Sequence, residues 1–75
     1  MSITVIPVGS LRQHVGGTEK VTLEFEGKTV LQVLANLGIP SAIVSAVLVN
    51  DVLVPKDHVP QDGDEVKLIS VVGGG

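Results

Sequence analysis

The stretch from Thr29 to Pro40 constrains the fold more than any other part of the sequence. Val30, Leu31, Val33, Leu34 and Leu37 recur at helical spacing and form one broad apolar face. Thr29 and Gln32 have the spacing of a capping box, in which each side chain answers a backbone N–H of the first turn. Gly38 is placed to end the helix and Pro40 to prevent its continuation. The other long apolar runs are β-branched and read as strands. One helix therefore has to cover a sheet, and its apolar face is needed for the core of so short a chain.

The strands follow in order. Ile3 to Val8 is apolar on both faces, which predicts a central, doubly covered strand with Pro7 near its end. Gly9 to Gly17 reads as a loop with room for one helical turn. From Glu19 to Glu26, Val21, Leu23 and Phe25 alternate with Thr22, Glu24 and Glu26, the pattern of a half-buried strand that forms a hairpin with the first. Ser41 to Val44 fits no single template. Ala46 to Asn50 reads as a strand, Asn50-Asp51 as a tight turn and Val52 to Val54 as a short return strand ended by Pro55. Lys56 to Gln61 is a polar connection, Asp62-Gly63-Asp64 a turn, and Glu65 to Val72 the last strand, expected inside the sheet beside the first. A helix across a mixed sheet of four or five strands is the α+β layout of a β-grasp, or ubiquitin-like, domain. Residues 1–72 would form the single domain and 73–75 a flexible glycine tail.

Composition removes several function classes. One aromatic residue, Phe25, provides no stacking platform for single-stranded nucleic acid. A net charge of −3, with the five basic residues dispersed, disfavours binding to a phosphate backbone. The absence of cysteine excludes a disulfide framework and is compatible with a reducing compartment. No charged-then-apolar leader is visible, and no apolar run approaches the length of a membrane span, so a cytoplasmic protein free of membrane is expected. His14 and His58 have neither the nucleophile nor the orienting partner that acid–base or covalent catalysis requires, so an enzyme is not expected.

The remaining chemical feature is the end of the sequence, Val71-Val72-Gly73-Gly74-Gly75. Three residues without Cβ atoms make a thin strand that fits a narrow channel. The Gly75 α-carboxylate, with an ordinary pKa of about 3.3–3.7, is ionised at neutral pH and is a poor electrophile until another enzyme activates it. A glycine-rich end is also what a frayed terminus looks like. On the last strand, Val66, Leu68 and Ser70 alternate with Lys67, Ile69 and Val71. If the first set faces the helix, Ile69 and Val71 lie on the open face beside the tail, as a partner-contact patch or as the last of the core.

Val49-Asn50-Asp51-Val52-Leu53-Val54, then Asp57-His58, then Asp62-Gly63-Asp64-Glu65-Val66, then Val72-Gly73-Gly74-Gly75 make a recognisable series. In this order it resembles the ThiS/MoaD family of ubiquitin-like sulfur carriers. Leu11-Arg12 followed by Gly16 resembles the MoaD branch, whereas the Val-Gly-Gly-Gly ending is more like ThiS. Asn50-Asp51 stands where the family usually has Asn-Gly, and no proline precedes the glycines.

The resemblance implies a carrier and not an enzyme. Gly75 would be adenylated by a ubiquitin-activating-type adenylating enzyme that uses ATP, then converted to a thiocarboxylate. A sulfur-accepting synthase would take the sulfur for thiamine thiazole or for molybdopterin, and the chain could be the small subunit of a molybdopterin synthase-type complex. Gly73 and Gly74 would keep the tail slim, while Val72, Val71 and Ile69 would contact the partner. No bound cofactor or metal is implied, and the free chain is expected to be a monomer. Two other functions start from the same sequence: a modifier joined to target lysines through Gly75, and a non-covalent β-grasp binding module.

Overall fold

In the computed structural model, which describes residues 2–24 and 26–70, five strands form one mixed sheet with a single α-helix packed against it. The strands are β1 (Ser2–Pro7), β2 (Val21–Glu24), β3 (Val44–Val49), β4 (Val52–Val54) and β5 (Glu65–Ser70), and the helix α1 spans Val30–Leu37. The sheet order is β2-β1-β5-β3-β4. β5 runs parallel to β1 and antiparallel to β3, so the last strand lies at the centre of the sheet. This is the ubiquitin-like β-grasp fold. Short 3₁₀ segments occupy Gly9–Val15 and Ser41–Ile43, in the loop and in the stretch that fitted no single template.

The helix forms as its sequence dictates. The Thr29 hydroxyl accepts from the Gln32 N–H (3.3 Å), and the Gln32 side-chain oxygen accepts from the Thr29 N–H (2.8 Å). The connection after β4 completes the cap. The carbonyl of His58 accepts from the Val30 N–H (2.9 Å) and that of Lys56 from the Leu31 N–H (3.0 Å). The free donors of the first turn are thereby satisfied without a charged side chain. At the other end Gly38 adopts φ +74°, where a Cβ is disfavoured. The Gly38 N–H donates to Ala35 and the Ile39 N–H to Leu34, the paired bonds of a Schellman motif.

Val30, Val33 and Leu34 on the helix meet Ile3, Val5, Val44, Val47, Val49, Val66 and Leu68 from the sheet in one cluster, joined by Leu11 and Ile39. No polar or charged side chain is buried among the described residues. Two expectations need correction. β1 is not covered on both faces: Ile3, Val5 and Pro7 are buried, whereas Thr4 and Ile6 on the opposite face are only half-buried. Leu31 lies outside the core, 44% exposed, because it sits at the rim of the buried helix face. The strand bounds differ slightly from the expected runs: β1 begins one residue earlier, β3 begins at Val44 and not at Ala46, β2 begins at Val21 and not at Glu19, and Phe25, Val71 and Val72 lie outside the described residues.

The family-like motifs of the second half form a hydrogen-bonded clasp at one end of the sheet. Asn50 donates from Nδ2 to Asp64 Oδ1 (2.9 Å) and accepts at Oδ1 from the Glu65 N–H (3.0 Å). Asp64 Oδ2 accepts from the Gln61 N–H (2.8 Å), and Asp62 Oδ1 from the Ser2 N–H (2.7 Å). The β3–β4 turn, the Asp62-Gly63-Asp64 turn and the start of β1 are thereby tied together. Asn50 and Asp51 both take positive φ, +50° and +68°, the conformation of a two-residue hairpin turn. Asparagine tolerates it and is held by the clasp. The Asp51 side chain has only a 3.6 Å ion pair with Lys67, largely in water, to offset its strain. Asp51→Gly is expected to raise stability by about 0.5–1 kcal/mol in urea unfolding. A loss of stability would show that the Lys67 pair outweighs the relief of strain.

Candidate functional site

The end of the sheet opposite the clasp is where β5 delivers the chain toward Val71, Val72, Gly73, Gly74 and Gly75. Those five site residues lie outside the described residues. The last described residue is Ser70, and its surroundings define the root of the tail. On the β1 side the ladder stops two residues earlier: Pro7 pairs with Leu68, and the Val8 N–H donates to the Leu68 carbonyl (3.0 Å). The chain then turns away at Gly9, at φ +64°, where an added Cβ would stand 3.6 Å from Ser70 Oγ. On the β3 side, Ala46 pairs with Ile69 and Val44 with Ser70, leaving Ser45 as the extra residue of a β-bulge. The Ser45 hydroxyl reaches the carbonyls of Ser70 (3.0 Å) and Ile69 (3.3 Å).

The alternation on β5 is as expected. Val66 and Leu68 are buried under the helix, and Lys67 and Ile69 are half-buried on the opposite face. Cross-strand partners share a face, so the register sets Ile6, Lys67, Leu48 and Leu53 in one row across the open face. Ile69 and Ala46 form the next row toward the tail. Leu53, 68% exposed on the edge strand, is the most water-exposed of these apolar side chains. The open face is thus an apolar row interrupted by one lysine and continuous with Ile69. A groove of about 380 Å³ runs along the β3–β4 edge from Ser45 to Lys56. Its one charged group, the Lys56 ammonium, is tied to the carbonyl and hydroxyl of Ser41 (2.8 and 3.1 Å).

The two histidines do not assemble a reaction centre. His14 is exposed on the first 3₁₀ segment, and His58 contributes its main-chain carbonyl to the helix cap. Among the described residues no three His, Asp or Glu side chains are grouped to hold a metal ion. No described helix is long and apolar enough to cross a membrane. Sequence reasoning missed Ser45 and the structural use of Asn50 and Asp64. The motif around Asn50 and Asp64 was visible, but a bulge at Ser45 has no sequence signal.

The sequence matches the ThiS family over residues 5–75. The chain belongs to that family. None of the curated proteins matches the sequence. Among solved structures, a chain of the BexX/CysO complex from Amycolatopsis orientalis is 30% identical, with a TM-score of 0.72 over 97% of this chain and 99% of that one. Small archaeal modifier protein 1 from Haloferax volcanii is 24% identical, with a TM-score of 0.73 over the full length of both chains. A chain from the complex of subunits 1 and 2 of molybdopterin-converting factor from Helicobacter pylori is 22% identical, with a TM-score of 0.65 over 100% of both.

Proposed function

We propose that this chain is a sulfur carrier whose working group is the Gly75 α-carboxylate. The observation that carries this reading is that the ThiS-family match runs through all three glycines to residue 75. Carboxylate oxygen attacks the α-phosphorus of ATP on a ubiquitin-activating-type adenylating enzyme, forming the acyl-adenylate and releasing pyrophosphate. A hydrosulfide equivalent from a sulfur donor then attacks the acyl carbon and expels AMP. The product is a thiocarboxylate, with sulfur in place of one carboxylate oxygen. A synthase accepts that sulfur to build a cofactor, thiamine thiazole or molybdopterin. ATP belongs to the activating partner. The carrier binds no cofactor, supplies no acid or base, and works in the cytoplasm as a monomer between partners.

Gly73 and Gly74 admit the tail to the partner's channel because they add no Cβ. The apolar open face, with Ile69 continuous with the tail root, gives the adenylating enzyme and the synthase a docking surface. Val71 and Val72 extend that contact. The likeness to small archaeal modifier protein 1 favours a second reading. In it the same adenylate is attacked by a lysine amine, giving an isopeptide bond to a target protein.

Intact-protein mass spectrometry separates the readings. Incubated with ATP, the adenylating enzyme and a sulfide source, the full chain is expected to gain the mass of one oxygen-for-sulfur exchange. Conjugates of higher mass with no such gain would replace the carrier by the modifier. Neither product, with a known carrier converted in parallel, would leave only a non-covalent domain.

A further inference from the structure

The root of the tail contains a polar contact that the core does not need. Ser45 is exposed, its hydroxyl donor serves carbonyls at the very end of β5, and those carbonyls are within reach of water. An exposed hydrogen bond of this kind contributes little net stability. Its geometric effect is larger. The Ser70 carbonyl belongs to a planar peptide unit. Holding that oxygen 3.0 Å from Ser45 Oγ fixes the plane, and with it the heading on which the chain leaves Ser70. Among the described residues no group on the β1 side bonds the Ser70 carbonyl, because that ladder ends at Leu68 and the chain turns away at Gly9. The bulge explains how Ser45 reaches its acceptors. An extra residue between Val44 and Ala46 twists β3 locally and re-aims one side chain.

We infer that Ser45 is a positioning residue: its hydroxyl, placed by the bulge, fixes the exit direction of the chain at Ser70 and so prepares the tail for entry into the adenylating enzyme. This inference rests on the carrier reading above, or on the modifier reading, since both begin with the adenylate. A tail that leaves in one direction loses less freedom on entering a channel. The saving appears in binding. Once the tail is seated, the enzyme holds it, and the chemical step no longer depends on Ser45.

The test uses full-length protein with Ser45, Ser45→Ala and Ser45→Thr. The first measurement is the NMR order parameter of the Val71 amide, whose N–H shares the peptide plane of the Ser70 carbonyl and whose value does not depend on any function. It is expected to fall from the rigid range, about 0.85, toward about 0.6 in Ser45→Ala and to recover in Ser45→Thr. The second is ATP–pyrophosphate exchange by the adenylating enzyme with the carrier as varied substrate. KM for Ser45→Ala is expected to rise about three- to tenfold with kcat within about twofold, and Ser45→Thr to restore KM. Thermal melting establishes that each variant is folded at the assay temperature. An unchanged order parameter, or a changed one with unchanged KM, overturns the inference while exchange with the wild type upholds the adenylation reading. No exchange with the wild type overturns both.

Discussion

Deleting Gly75 is expected to abolish adenylation by at least about 100-fold in kcat/KM while leaving thermal stability unchanged. The shortened chain still ends in Gly73-Gly74, so its last group is again a glycine carboxylate. Only reach has changed. Five residues separate the last described strand residue, Ser70, from the carboxylate carried by Gly75. An extended residue spans at most about 3.3–3.6 Å, so one deletion draws the carboxylate back by up to that distance. Attack on the α-phosphorus requires the reacting atoms within about 3–3.5 Å, and a misplacement of about 1 Å already costs on the order of 100-fold. Addition of a glycine after Gly75 is expected to fail for the mirror reason. The measurement is ATP–pyrophosphate exchange, with urea unfolding as the control for the fold. Exchange within about threefold of wild type would show that the enzyme tolerates the shorter reach and that Gly75 itself is not required.

Much of this architecture could be read from short-range signals, because the deciding interactions are local. Thr29, Gln32 and Gly38 determine the helix within a few residues of themselves, and their bonds form as spaced. The hairpin at Asn50-Asp51 is legible for the same reason. The parts that could not be read depend on partners distant in sequence. The two-layer covering of β1 fails because Ile6 is apolar for the open face and not for a second layer. An apolar residue at such a position looks the same whether helix, water or a partner protein covers it. Leu31 misleads in the same way on the helix.

The site divides similarly. The glycines stand out in the sequence, but Ser45 reads as one polar residue in a strand. Its role appears only once β3 and β5 are paired with an extra residue between Val44 and Ala46. Asn50 and Asp64 were recognisable as a motif, yet the motif alone does not tell a docking signal from a structural clasp. Their hydrogen bonds, to each other and to the Glu65 and Gln61 backbone, identify the clasp. The part of the signature around Asn50 and Asp64 therefore maintains the platform.

Leu68→Ala is expected to be the most damaging single change to that platform. Leu68 is fully buried at the centre of β5, flanked in the sheet by Pro7 and Val47 and part of the cluster under α1. Truncation of such a leucine costs about 2–5 kcal/mol, the lost burial plus the cavity left behind. A domain of 75 residues has roughly 4–11 kcal/mol in total. The variant is therefore expected to unfold at much lower urea, and its melting point to fall steeply. Leu53→Ala, at a site 68% exposed, is expected to stay within about 0.5 kcal/mol of wild type. A Leu68→Ala cost under about 1 kcal/mol would mean that the neighbouring strands close over the gap, contrary to a core held by β5. The two large effects test different halves of the same molecule. Without Gly75 the platform stands and the reactive group is out of reach; with Leu68→Ala the carboxylate is intact and the platform is lost. Adenylation of Leu68→Ala should therefore follow its folded fraction as temperature is raised. If exchange instead persisted at the wild-type rate above the melting point, the enzyme would be reading the tail alone, and neither the open face nor Ser45 would contribute to recognition.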